Sequence, residues 1–585
     1  MNPSLPGVEP EQTPAHLARP VTCTAGDSAS PSSLARLTGA LGDVKALALK
    51  ALLERAVIAI RARDFAEGAK LALKALQLDE RSGQAWWVLA ICREQAGDAT
   101  TALACFESAT KLLPDHAEIA HDLGRLAYKL GQLVIAEQLF SHFLTRYPGH
   151  PEAANNLACA LRDQQRFAEA IEALRTVLYA HPEKALLWNT LGTVLNEQGD
   201  VADCLAFYDE AIRLDPGFAR ARYNRGNARL STGDVSGARE DVDQAAATNV
   251  DPADAPMMQL ACAVARIAGG ELGDGWDQYE VRTNPAFPGA TRFVVDAPRW
   301  APEQPLEGRA LLVYGEQGLG DEVMFANVLP EAVCAVGPKG TLYVAVEPRN
   351  VALFQRSFPT ARVFAHATAR QSGRTLRSVV GLEPDTQIDA WAPIASLNRR
   401  FRRSAEDFPK SGAYLRPDPA RVAHWRGLLA ERQKPAVGIL WKSLKIDAAR
   451  QRYFSPFDQW RPVLTRPGIN FVNLQYGDCE DEQSRAGRMG VELWSPPGLD
   501  LKTDLDDVAA LTCALDLVIG PPNATTNIAA ACGARVWMIS TPGAWPRLGT
   551  DHYPWYPEVR VFCPPALNDW APVMEQLAAA LGQAF

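Results

Sequence analysis

The sequence predicts a multidomain protein: an all-α array of helical hairpin repeats, then an α/β half built on parallel sheets. Three observations carry this. Pro114, Pro148, Pro182 and Pro216 stand 34 residues apart. Small residues recur with the same period at Ala90, Gly124, Ala158, Gly192 and Gly226, and again at Ala102, Ala136, Ala170, Cys204 and Ala238. After Gly308 the pattern changes to short apolar runs that alternate with helical stretches.

A helix–turn–helix unit repeating every 34 residues is a tetratricopeptide repeat. Bulky partners for the small positions follow at Phe106, Phe140, Leu174, Tyr208 and Val242, and Gly97-Asp98, Gly131-Gln132, Gly199-Asp200 and Gly233-Asp234 mark the turns. Residues 1–33 are rich in Pro, Ser, Thr and Ala without periodicity, the composition of a disordered tail. The repeats are expected over 45–282, from a degenerate unit through Asp64, Ala72 and Ala75 to capping helices in Met257–Arg282. Residues 283–308, heavy in Pro and Gly, read as a linker.

Ala310–Tyr314 is wholly apolar, as a parallel strand buried on both faces must be. Further strand-like runs lie at Thr341–Val346, Arg362–Phe364, Ala436–Trp441, Asn470–Gln475, Leu515–Ile519 and Arg535–Ser540, between helical stretches such as Pro419–Glu431 and Asp506–Ala514. Alternation of this kind implies parallel α/β sheets. A break near residues 414–434 divides them into two similar halves, 309–415 and 434–585. Two facing Rossmann-like domains place a cleft between the carboxyl ends of their strands.

A net charge of −9 excludes nucleic acid as the principal partner. No apolar run reaches the length of a membrane-spanning helix, and the N-terminus shows no signal-peptide pattern, so a cytoplasmic protein is expected. Eleven cysteines, scattered singly, read as reduced thiols, several of them at repeat core positions. The nine histidines show no metal-ligand spacing, so no metal is expected.

Three segments can carry chemistry. Gly315-Glu-Gln-Gly-Leu-Gly-Asp321 links a buried strand to a helix; Gly318 and Gly320 let the backbone approach a ligand. It reads either as a tight turn capped by Asp321 or as a cleft rim where Glu316 and Asp321 serve as general bases. The second segment, after Asp516–Gly520, delivers Asn523, Thr525, Thr526 and Asn527 onto a helix of small residues. These residues either cap that helix or, with its N–H groups, hold a donor phosphate. The third is Trp441-Lys442-Ser-Leu-Lys445 with Arg450, Arg452 and Tyr453, a phosphate site or a solvated basic loop. Arg399, Arg400, Arg402 and Arg403 read as a solvated helix face.

GEQGLGDEVMFANVLP, VGILWKS, VNLQYGD, DLDDVAALTCALDLVIG and DHYPWYPEVRVF, in this order, resemble bacterial tetratricopeptide proteins fused to a heptosyltransferase-like GT-B glycosyltransferase domain. The stretch GELGDGWDQYEVR at 270–282 is similar to that family's junction, and flagellin glycosyltransferases are the members most resembled. The resemblance implies a GT-B fold, a metal-independent enzyme without cofactor, and Asp321 of the Gly320-Asp321 pair as catalytic base. It implies donor binding by Gly318, Gly320, Lys442, Lys445 and Asn523–Asn527. The family's Asp-Thr-Ala-x-x-His is here Pro522-Asn-Ala-Thr-Thr-Asn527, compatible with a CMP-linked donor bearing one phosphate.

Asp122, Asn156, Thr190 and Asn224 recur on the first helices of the repeats. They are either scattered surface residues or a polar ladder for the backbone of an extended acceptor, since an amide both donates and accepts. The function expected is transfer of a sugar, such as the nonulosonic acid pseudaminic acid, to Ser or Thr of flagellin held by the repeats, and hence a role in the flagellum and motility. The alternatives are a non-catalytic adaptor and a glycosyltransferase acting on lipopolysaccharide.

Overall fold

The computed structural model describes residues 31–585 except 288, 372–373, 384, 411 and 445–447. The tail expected over 1–33 lies outside the described residues as far as residue 30. The chain forms two compact units, residues 1–146 and 147–585.

In the first unit the helices are Pro31–Arg61, Phe65–Leu78, Gly83–Gln95, Ala99–Leu112, Ala117–Lys129 and Leu133–Arg146. Three of these helices start at side chains that accept otherwise orphaned N–H groups. Asp64 accepts from Glu67 N at 3.0 Å, Ser82 from Ala85 N at 3.2 Å and Asp98 from Thr101 N at 3.1 Å. Ala90, Ala102, Phe106 and Ala136 have no exposed surface, so the helices of a pair meet where the small residues recur.

The second unit continues the helical pairs from Pro151–Asp163 through Val235–Thr248, then Ala255–Ala268 and Leu272–Tyr279. Ala170, Cys204 and Ala238 are again fully buried. The N-terminal region is therefore an all-helical tetratricopeptide array, as its period requires. Its later repeats fold in one compact unit with the sheets.

Two six-stranded sheets follow. The first holds β1 (Arg292–Phe293), β2 (Ala310–Tyr314), β3 (Thr341–Val346), β4 (Arg362–Gln371), β5 (Arg374–Val379) and β6 (Ala390–Pro393), in the order β1-β5-β4-β3-β2-β6. It is mixed, not wholly parallel as expected, because β4 and β5 form an antiparallel hairpin. The stretch expected as a linker over 283–308 is part of this sheet. It supplies β1, Val294 accepts a 2.9 Å hydrogen bond from the Tyr314 hydroxyl, and Trp300 is buried.

The second sheet holds β7 (Ala436–Ile439), β8 (Asn470–Asn473), β9 (Leu493–Trp494), β10 (Leu517–Gly520), β11 (Val536–Ile539) and β12 (Arg560–Phe562). It is parallel throughout, in the order β12-β11-β10-β7-β8-β9. Counting from β7, this is the doubly wound order, and the winding reverses between β7 and β10. In the first sheet it reverses between β2 and β6.

One apolar core joins the last repeat helices to both sheets, running from Ile267 and Trp276 through Val323 and Phe325 to Val518 and Trp555. Trp276 meets Phe325 and Trp555 edge-on at 6.3 Å and 6.1 Å between ring centroids. The four arginines expected on a solvated helix face belong largely to this junction. Arg402 is buried, paired with Glu331 at 2.7 Å and bonded to Asn327, while Arg399 and Arg403 hold Asp277 of the last repeat helix at 3.0 Å and 3.1 Å. Charges beside a run of helix turn inward when a neighbouring element offers carboxylates.

Candidate functional site

The loop after β2 turns sharply, with Gln317 in the left-handed region at φ 61°, and enters the helix Leu319–Phe325. Arg377 of β5 clamps it from below, donating to the carbonyls of Gly315 and Gln317 at 2.5 Å and 3.0 Å. From the repeat side, Gln317 Nε2 donates to the Tyr279 hydroxyl. Neither clamp was legible in the sequence, since both residues lie far from the loop along the chain.

Glu316 does not stand at a rim. It is 4% exposed and takes both arms of the Arg282 guanidinium at 2.6 Å and 2.9 Å, plus the Ala395 N–H at 2.9 Å beyond β6. Arg282 also bonds Ser396 and Glu280. A carboxylate buried and held by three donors ties the loop to β6 and to the repeats, a structural role in place of the rim base expected of it.

Asp321 is placed differently. It is half-buried, and its Oδ2 accepts the Gly318 N–H at 3.1 Å, so Gly318 and Asp321 do form the expected helix cap. Burial pushes its pKa above the ordinary carboxylate range, the Gly318 hydrogen bond works against this, and the nearby negative charge of Glu316 adds to the rise. A carboxylate raised in this way is a stronger base than an exposed aspartate.

The loop after β10 meets the loop after β2. Asn523 Oδ1 accepts from Thr526 N at 3.2 Å, while Thr526 Oγ1 accepts from Asn523 N at 2.9 Å and donates to the Pro521 carbonyl at 2.8 Å. This reciprocal cap starts the helix Ala524–Ala531, and Thr525 is buried in its first turn. Asn527 reaches across and donates to the Gly320 carbonyl at 3.0 Å. Gly320 is what allows the approach, because a Cβ there would lie 3.3 Å from Ala524 N and 3.2 Å from Asn527 Nδ2. Gly318, Gly320 and Asp321 are thus brought together with Asn523–Asn527.

The basic segment after β7 is mostly committed elsewhere. Lys442 Nζ pairs with Glu482 at 2.5 Å, and Gln475 holds the backbone N–H groups of Trp441 and Lys442 at 3.1 Å and 3.0 Å. Lys445 lies outside the described residues. Arg452 is drawn to the repeats, where it donates to Asn196. Glu482 and Gln475 could have been suspected only from their place after β8, the strand next to β7.

Two tyrosines at the junction escaped the sequence reading. Tyr414 and Tyr556 stack with centroids 6.2 Å apart and planes at 11°, and the Tyr414 hydroxyl donates to the Val323 carbonyl at 2.9 Å. Burial raises the Tyr556 phenol well above its usual range, and the charge of Asp321 contributes.

The ladder residues of the repeats are engaged with their neighbours; Asp122, Asn156 and Asn224 are half-buried and Thr190 is buried. Asp122 in the first unit accepts from Trp87 Nε1 at 2.8 Å, and burial raises its carboxyl. In the second unit Asn224 Nδ2 donates to Asn189 Oδ1 at 2.9 Å, and Thr190 donates to Asn155, whose own amide donates to Asn156 at 3.2 Å. The polar row joins one repeat to the next, a role the 34-residue spacing alone did not indicate. Among the described residues no group of three or more His, Cys, Asp or Glu could hold a metal, and no helix is long and apolar enough to cross a membrane.

A family model described as the tetratricopeptide repeat matches residues 53–117, 93–151, 121–185, 155–217 and 189–256. Protein FlbA of Caulobacter vibrioides is 49% identical over 558 residues, covering 95% of this chain and 94% of that protein. The peroxisomal targeting signal receptor of Kluyveromyces lactis is 31% identical over 83 residues, 14% of this chain and 15% of the receptor. Among solved structures, a tetratricopeptide repeat protein from Parabacteroides merdae aligns with a TM-score of 0.36 at 14% identity, over 41% of this chain and 92% of that one.

Proposed function

The chain belongs to the family of Protein FlbA, and for this member we propose a flagellar protein O-glycosyltransferase. In this reading the two sheets are the halves of a GT-B enzyme. The repeats hold flagellin in the cytoplasm, and a nonulosonic acid such as pseudaminic acid passes from its CMP donor to Ser or Thr. The observation that carries it is the meeting of the two loops at the points where each sheet reverses its winding, Gly320 with Asn527 at 3.0 Å. Flagellin, donor and sugar follow from the family resemblance of the motifs.

The chemistry asks little beyond this chain's own residues. Asp321 takes the proton of the acceptor hydroxyl as its oxygen bonds the anomeric carbon, and the bond to the donor phosphate breaks with its electron pair leaving on CMP. The N–H groups at the start of the helix Ala524–Ala531 favour the negative charge that collects on the phosphate. The burial that raises Asp321 also strengthens those interactions.

One observation favours a second reading, a non-catalytic adaptor. Lys442 is neutralised by Glu482, which leaves a donor phosphate without that cation. Reconstitution with purified chain, flagellin and CMP-sugar separates the two. Intact-mass gain on flagellin, absent with Asp321→Ala while flagellin is still captured, supports the enzyme; capture without mass gain supports the adaptor.

A further inference from the structure

The first described helix, Pro31–Arg61, is 31 residues long, and the residues it packs on the repeats lie on one face. Leu49, Leu52, Leu53, Ala56 and Ile60 line that face. On the opposite face Val44, Leu47 and Ile58 are 64%, 68% and 64% exposed. Steps of three, four and seven residues align these with Ala51 in one stripe. The outermost element of a repeat array normally turns a polar face to solvent, so an apolar one implies cover.

The charges beside the stripe say what covers it. Asp43, Lys50, Glu54 and Arg61 follow one another at intervals of seven, four and seven, so they lie along one flank with signs −, +, −, +. Reversed, that order becomes its own complement. In an antiparallel pair of identical helices the same flanks face each other. Asp43 then stands opposite Arg61 of the second copy, Lys50 opposite its Glu54, and Leu47 opposite its Ile58, with Ala51 beside the two-fold axis where a small side chain allows close approach. A parallel pair would instead set this flank against the opposite one, which carries Leu41, Ala48 and Arg55, and would lose the complementarity. Within the chain, Lys50 and Glu54 make only a 4.0 Å contact, both largely exposed.

We propose that this face is an isologous, antiparallel dimerisation surface for a second copy of the chain. Two helix faces of this length bury less than about 1,200 Å², so the dimer is a weak, concentration-dependent one.

Sedimentation equilibrium of the full chain over micromolar concentrations tests it, with circular dichroism confirming that each variant stays helical. A twofold rise in mass with concentration is expected. Leu47→Glu with Ile58→Glu abolishes it, and Lys50→Glu alone weakens it by about tenfold, since both symmetric contacts change. Lys50→Glu with Glu54→Lys restores it. A monomer at every concentration overturns the proposal, and so does one that dimerises only after residues 1–30 are removed, because the chain itself then covers the stripe. A dimer indifferent to the stripe variants, or not restored by the charge exchange, overturns it equally.

Discussion

Asn527 donates its side-chain amide to the Gly320 carbonyl at 3.0 Å, and so ties the helix after β10 to the loop after β2. The bond lies one residue from Asp321 and is 8% exposed on the Asn527 side. Asn527→Ala leaves the Gly320 carbonyl unpaired; a loss of about 1 to 2 kcal/mol is expected in urea unfolding. Hydrogen exchange in the helix Leu319–Phe325 should rise with it. Asn527→Asp should be worse than Ala, because it sets a carboxylate against a carbonyl oxygen close to Asp321.

Asp321 has a folded-state pKa raised by burial, so its charged form is disfavoured on folding. The acidic limb of the transfer rate should therefore lie above the ordinary aspartate range, rising as Asp321 loses its proton. Asp321→Asn keeps an oxygen for the Gly318 cap but removes the base of the proposed reaction, so the proposed transfer should fall by about 10²- to 10⁴-fold. The sign for stability is opposite. Above the raised pKa the wild type folds with an unfavourable buried charge, so the Asn variant should melt about 1 to 2 °C higher at neutral pH. That gain should vanish below the unfolded aspartate pKa. An acidic limb unmoved from the ordinary range would assign the base to another group.

Arg282 and Glu316 form a two-armed buried ion pair between the last repeat segment and the loop after β2. Arg282→Met leaves Glu316 buried and unpaired, and should cost about 3 to 5 kcal/mol in chemical denaturation. Adding Glu316→Leu should recover most of that. Recovery of stability without recovery of transfer would show that the pair also aims the loop.

Gly543 sits against the Leu230 carbonyl, closer than any side chain permits. Gly543→Ala should push the segment after β11 away from the repeat helix Ala219–Thr232, at a cost of about 1 to 3 kcal/mol. Limited proteolysis of the segment after β11 should quicken, while a control Gly427→Ala, where a Cβ meets nothing within 4 Å, should leave the digestion pattern unchanged.

Asn189 accepts the Asn224 amide across neighbouring repeats. Asn189→Ala should lower stability by about 1 kcal/mol. If the polar row also grips an acceptor, Asn224→Ala should weaken flagellin capture in a pull-down more than its stability loss explains.

The repeats were legible because their signal is local and repeated. Each small residue, such as Ala102 or Cys204, faces a partner at a constant offset, so periodicity alone exposes the packing. Buried strands such as Ala310–Tyr314 were legible for a related reason: a strand covered on both faces must be apolar throughout. The edge strands β1, β6, β9 and β12, and β5 beside β1, were not, because they are short or half-exposed and take their conformation from the neighbours they pair with. In the site, the sequence by itself marked the Gly315–Asp321 and Asn523–Asn527 loops, since glycines and capping residues announce a strand-to-helix turn. Which carboxylate is held and which is poised was decided only in three dimensions. Arg282 and Ala395 hold Glu316 from 34 and 79 residues away, while Asp321 accepts its own cap and has a pKa raised by burial. Local sequence sets the turn, but the partners that neutralise or activate a charge come from distant elements that only folding brings to it.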